Sequence, residues 1–278
     1  MELTLGVTFA VLGAALLHAS WNALIKSGAD PILDTALVAL ASSGIAIALA
    51  AWVAPPAPAS WPFIAASALI HVAYFTTLAL AYHAGDMSHG YPIMRGTAPL
   101  VTALASWLWL GEAISPGAWA GVLLICGGVL SLGLAGGGAS RRATAWALAN
   151  AAVIAAYTLA DGAGVRAAGG AGRYVVWLFV FMGLPFGLGV LALRRGEFLR
   201  HAARHWWRGL AGGALSVLSY GIALWAMTRA PVAVVAALRE TAVIFGALIG
   251  AWLLKEGHLG PRLGGAAAVL AGLIALKL

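Results

Sequence analysis

The sequence predicts an all-α integral membrane protein: ten transmembrane helices forming two inverted five-helix repeats around a central cavity. Three observations carry that expectation. The 278-residue chain is 62% apolar and only 9% charged, with a mean hydropathy of +0.94. A soluble domain carries about 25% charged residues. Ten segments also reach the length of about 20 mostly apolar residues that a membrane helix needs. Finally, the second half of the chain repeats a pattern of the first at a fixed offset.

The first segment, 3–25, follows Glu2 rather than a basic region. It is longer than the apolar core of a secretory signal, so it reads as a span. Asp30-Pro31 ends it, and Pro55, Pro56 and Pro58 end the second, 33–53. Gly85-Asp86 separates the third, 62–83, from the fourth, 87–110, where Pro92 and Pro99 are expected to kink the helix. A polar turn at 112–116 precedes the fifth, 116–135. Gly136-Gly137-Gly138 then divides the chain into a first repeat, 1–138, and a second, 139–278. The second repeat offers spans at 144–163, 174–193, where Pro185 is expected to kink the helix, 207–228, 231–254 and 260–277. The stretch 194–208 and the turn 255–261 are the polar breaks among them. Segments this long, with no alternation, exclude a closed β-barrel.

In the connections and at the span ends beside them, ten Lys and Arg residues fall after segments one, three, five, seven and nine. Four (Arg166, Arg173, Arg229, Lys277) fall on the other side. The positive-inside rule therefore places both termini away from the cytoplasm. The net charge of +7 serves orientation rather than nucleic-acid binding. Trp61, Trp107, Trp109, Trp177, Trp206 and Trp207 read as interface anchors. The single cysteine, Cys126, excludes a disulfide framework and offers no metal cluster. No cofactor or metal is expected.

At an offset of 144 residues, Arg95 falls on Arg239, Thr97 on Thr241, Glu112 on Glu256, Gly121 on Gly265 and Gly128 on Gly272. Alanine and leucine matches are cheap in such a composition, but intramembrane arginines are rare. Spans four and five thus recur as nine and ten. A unit of five spans is odd, so its second copy lies upside down, an arrangement that recurs in transporters with a substrate path between the copies.

Ionisable side chains within spans face the protein interior or water. Arg95 and Arg239 lead the candidates, one from each copy, on opposite sides of the midplane. Facing an aqueous cavity, they would attract a carboxylate or phosphate. Otherwise they pair internally, with Asp161, Asp86 or Glu240, or snorkel to an interface. Glu240 and Asp161 are candidate proton carriers or pairing partners. Span one carries His18, Trp21 and Asn22 on one face, and span three carries His71, Tyr74 and Tyr82, with Thr76 and Thr77 nearby. Span six adds Tyr157 four residues before Asp161, and span eight adds Ser216, Ser219, Tyr220 and Trp225. Together they suit a cavity for a small amphipathic solute; singly, each also suits polar contacts between helices. Gly246 and Gly250, with Thr102 and Ser106 at the matching positions, have the small-xxx-small spacing of close helix approach.

No HExxH, GxSxG or phosphate-cradling glycine loop is present, so nothing reads as an enzyme. The ten spans in two five-span copies are accompanied by Gly111-Glu112 and Lys255-Glu256 turns, the start Trp21-Asn22 through Lys26, and the stretch Tyr157-Thr158-Leu159-Ala160-Asp161-Gly162. With these features the chain resembles the EamA family of the drug/metabolite transporter superfamily, most closely its YddG-type amino-acid exporters. The resemblance implies alternating-access export of aromatic and neutral amino acids from the cytoplasm, across a bacterial inner membrane. It supplies no catalytic motif to transfer. The four-span multidrug members use a carboxylate in their first span, where this chain has His18 mid-span and Glu2 at the edge. Efflux of hydrophobic drugs, or flipping of a phosphorylated lipid carrier, are the alternatives. The expected partners are a small-molecule substrate and the lipid bilayer, for a chain acting as a monomer without nucleic acid.

Overall fold

The computed structural model describes residues 3–85, 87–134, 140–253 and 260–276. Every regular element among them is helical. The helices are α1 (Leu5–Lys26), α2 (Pro31–Ala50), α3 (Trp61–Ala84), α4 (Met87–Trp109), α5 (Pro116–Leu134), α6 (Arg141–Ala167), α7 (Ala171–Met182), α8 (Leu184–Leu193), α9 (Arg195–Met227), α10 (Val232–Arg239), α11 (Ala242–Leu253) and α12 (Gly260–Ala275). A 3₁₀ turn, Pro58–Ser60, leads into α3. Among the described residues, six stretches are long and apolar enough to cross a membrane: α1, α2, Pro58–Leu78, α6, Ala171–Leu193 and α9.

The starts of these helices follow from local chemistry. The Thr4 hydroxyl accepts from the Val7 amide, Asp30 accepts from the Ile32 and Leu33 amides, and Ser140 accepts from the Ala143 amide. Each satisfies amides that a helix start leaves unpaired. Pro31, at the first position of α2, needs no hydrogen bond for an N–H it lacks.

The segment 174–193 bends beside Pro185, as expected: it is two helices, α7 and α8, parted at Gly183 with Pro185 in the first turn of α8. There the chain runs so close to α2 that a Cβ on Gly183 would sit 2.4 Å from the Ala39 carbonyl oxygen. The polar stretch 194–208 is not a loop but the start of α9, bent where His205 leaves helical dihedrals (φ −124°, ψ 19°). The segment 231–254 breaks at Glu240-Thr241, where amides reach back three residues to Ala237 and Leu238. The Thr241 hydroxyl also donates to the Leu238 carbonyl, 2.7 Å away. Such tightened turns inside a helix often mark functional hinges. By contrast α4 stays one helix through Pro92 and Pro99.

Buried polar side chains tie the helices together. Ser219 of α9 donates to the Ala14 carbonyl of α1, and Ser43 of α2 to the Phe179 carbonyl of α7, both at 2.8 Å. The Asn150 amide of α6 donates to the Tyr74 carbonyl and the Thr77 hydroxyl of α3. The closest backbone approach involving glycines on both sides joins α5 to α12. A Cβ on Gly121 would lie 2.8 Å from the Gly272 carbonyl oxygen, and one on Gly128 would lie 2.8 Å from that of Gly265. Gly246, expected at a close contact, has open space where a Cβ would stand. Thr102 and Ser106 turn their hydroxyls back onto their own helix, toward the Ala98 and Ala103 carbonyls.

Candidate functional site

A cavity of about 200 Å³ opens among α1, α2, α3, α4, α6, α7, α9 and α10. Drug-sized ligands ordinarily occupy about 300–1,000 Å³, so this space suits a smaller solute.

The cavity gathers most of the residues singled out above. His18 and Trp21 of α1, His71 and Tyr74 of α3, Arg95 of α4, Tyr157 of α6, Tyr220 of α9 and Arg239 of α10 all line it. Asn22 and Ser216 line it as well. Tyr82 lies farther along α3, and its side chain is outside the described residues. Asp86, a proposed arginine partner, is outside them too, as are Gly136-Gly137-Gly138 and the Lys255-Glu256 turn. Ser219 and Thr77 are engaged between helices rather than in the cavity wall. Trp225 is likewise absent from the wall and stacks under the Arg229 guanidinium, 5.5 Å from its ring centre.

The two arginines differ in their surroundings. Arg95 Nε lies 2.9 Å from Glu240 Oε2, and both side chains are buried. Neither atom has an aligned hydrogen-bond partner among the described residues, so the contact is held by charge. Glu240 stands at the C-cap of α10, beside the break, and reaches Arg95 from there. Arg239 has no carboxylate at ion-pair distance among the described residues. Its guanidinium instead sits over the Tyr220 ring, 5.0 Å from the centroid, a cation–π contact.

Asp161 stands behind the wall rather than in it and is fully buried. The Tyr174 hydroxyl donates to its Oδ1 at 2.8 Å and the Tyr220 hydroxyl to its Oδ2 at 2.5 Å. Tyr220 therefore has two roles, its ring under Arg239 and its hydroxyl on Asp161. Asp161 and Tyr157, four residues apart on α6, thus serve different purposes.

Rings build much of the remaining wall. His71 lies against Tyr157 at 4.4 Å between centroids, and Tyr74 meets Tyr157 edge-on at 6.0 Å. The Ser67 carbonyl, 2.8 Å from His71 Nδ1, can only accept, so Nδ1 carries a proton. His18 meets Trp21 edge-on at 5.1 Å. Phe75, Phe179 and Met182 supply apolar surface. The sequence reading missed Tyr91, although its place one turn before Arg95 puts it on the same helix face.

The helix that carries Arg239 is anchored from afar. Glu112 receives Arg166 Nη2 at 2.6 Å and the Val232 amide at 3.0 Å, so its carboxylate caps the first turn of α10. Arg166 also donates to the Met227 and Ala230 carbonyls, which fixes the turn between α9 and α10.

A second polar cluster joins the α1–α2 turn to the start of α9. Asp34 Oδ1 is 3.0 Å from His201 Nε2, and Arg208 bonds to the Leu24 carbonyl and the Ser27 hydroxyl. Asp30 bonds to Arg194.

No curated protein matches the chain. Among solved structures, a crystal structure described only as that of a protein superposes with a TM-score of 0.70 at 18% identity, covering 97% of this chain and 94% of the other. That likeness is one of fold. The sequence of residues 4–134 matches the model of the EamA-like transporter family. The matched segment contains α1 to α5, and with them Arg95, His18, His71 and Tyr74.

Proposed function

We propose that this protein is a secondary transporter that exports small carboxylate-bearing metabolites, amino acids first among them, by alternating access through the central cavity. One observation carries the reading. A small cavity between the helices of residues 1–138 and those of residues 139–278 holds Arg239, a guanidinium with no carboxylate partner among the described residues. An ionisable group in such a place is costly and marks a functional site by default.

The two-copy organisation, with ten crossings and opposed halves, is supported by two features. Spans one to four line the cavity together with six to nine, whereas α5 and α12 take no part in it and pair with one another. In that pairing Gly121 meets Gly272 and Gly128 meets Gly265, while the 144-residue offset equates Gly121 with Gly265 and Gly128 with Gly272. Residue i touching the equivalent of j, and j the equivalent of i, is the signature of a two-fold contact. The basic connections support both termini lying outside the cytoplasm of a bacterial inner membrane, in a chain working as a monomer. The cavity's size, and the lack of a carboxylate among the described residues of its wall, argue against efflux of cationic drugs.

Purified protein in liposomes, loaded with labelled aromatic and neutral amino acids, tests the proposal. Protein-dependent flux lost in Arg239→Gln is the expected result. Flux of cationic dyes without amino-acid flux would sink it.

A further inference from the structure

Resting on that reading, we infer that the recognised ligand is a single carboxylate on an aromatic or bulky apolar body, with the α-amino group of an amino acid dispensable. The substrate class then includes aromatic hydroxy and keto monocarboxylates alongside amino acids. The argument is one of charge and donors. Among the described residues, the wall holds two guanidinium groups and two imidazoles, and neither an aspartate nor a glutamate. The two nearby carboxylates are committed: Glu240 to Arg95, and Asp161 to two tyrosine hydroxyls.

A ligand ammonium placed here would find no anion among the described wall residues and would face the Arg239 guanidinium, which disfavours it. Ring faces of Tyr74, Tyr157 and Trp21 could tolerate it, but a cation–π contact is worth little beside a charged pair. A ligand carboxylate, in contrast, meets Arg239, whose planar fork of donors fits two carboxylate oxygens. With Arg95 paired to Glu240, Arg239 is the one guanidinium of the described wall left open to a ligand carboxylate. The apolar part of the ligand has Phe75, Phe179 and Met182 to lie against.

The experiment is counterflow in liposomes carrying the purified protein, with labelled phenylalanine, phenyllactate and phenethylamine as probes. Phenyllactate should move within a few-fold of phenylalanine, and phenethylamine should not move. Arg239→Gln, with thermal unfolding to verify that it folds, should lose about tenfold to a hundredfold of both acid fluxes. Phenylalanine moving while phenyllactate does not would overturn the inference and leave the transport reading standing. Phenethylamine moving as well as phenylalanine would also overturn the inference alone. Silence from all three probes would remove the transport reading and this inference with it.

Discussion

Arg95 and Glu240 form a buried ion pair, Nε to Oε2 at 2.9 Å, between the middle of α4 and the break after α10. Taking away one member of such a pair leaves the other buried and uncompensated, at a cost of about 3–5 kcal/mol. Glu240→Gln and Arg95→Gln should therefore each lower the melting temperature in detergent. The double variant should be less destabilised than the sum of the two, since no lone charge remains. Strict additivity would show that the pair is not coupled.

Tyr220 links the cavity to Asp161. Tyr220→Phe keeps the ring under Arg239 and removes the 2.5 Å hydrogen bond to the carboxylate. It should cost about 1–3 kcal/mol of stability, as for a hydrogen bond to a buried charged group, with little loss of acid binding. Tyr220→Leu should lose binding too, because the cation–π support of Arg239 goes. Equal binding by the two variants would separate Tyr220 from the site.

The helical segments and the grouping of His18 with Trp21, or His71 with Tyr74, were legible because both are local. Hydropathy and the 3.6-residue turn contain them. The helix break at Glu240-Thr241 was not, since neither proline nor glycine stands there. It accompanies an attraction to Arg95, 145 residues away. The same holds for Asp161. Its i, i+4 spacing from Tyr157 pointed to one face, but its partners Tyr174 and Tyr220 come from other helices. The stretch 194–208 looked like a loop because charge masked its helical character. Its polar side chains find partners in the α1–α2 turn.

Glu112 acts on the cavity without touching it. Its carboxylate caps α10, an eight-residue helix that ends at Arg239. Glu112→Ala should cost about 0.5–2 kcal/mol for the cap alone and weaken acid binding through a displaced Arg239. Glu112→Gln, which keeps an acceptor for the Val232 amide, should bind acids better than the alanine variant. Unchanged binding in both, measured by thermal shift with phenylalanine, would show that α10 needs no cap to place its arginine.

Asp30, at the start of α2, carries a pH dependence. Partial burial pushes its carboxyl up, but the Arg194 hydrogen bond and the Leu33 and Ile32 amides outweigh that and hold it below the usual carboxylate range. A folded value below the unfolded one stabilises the fold at higher pH. That contribution is lost as pH falls below about 4, toward the folded value. The wild type should therefore lose more melting temperature than Asp30→Asn between neutral pH and that acid range. Parallel curves would mean that Arg194 and Asp30 do not interact in the folded state.

The α5–α12 contact gives the sharpest packing test, because adjacent glycines have opposite surroundings. A Cβ at Gly128 would meet the Ala268 side chain and the Gly265 carbonyl at 2.8 Å, whereas one at Gly127 would meet nothing within 4 Å. The carbonyl belongs to backbone and cannot rotate aside, so the helices themselves would have to separate. Gly128→Ala should cost about 1–3 kcal/mol, the usual range for overpacking. Gly127→Ala should be neutral or stabilising by about 0.4–1 kcal/mol, because alanine loses less freedom on folding. The equivalent position under the 144-residue offset, Gly272, has its own Cβ blocked by the Gly121 carbonyl at 2.8 Å. Gly272→Ala should therefore reproduce the Gly128→Ala loss. A large loss at one position and none at the other would show that the two sides of this contact are not equivalent, and would remove one of the two supports for the two-copy organisation.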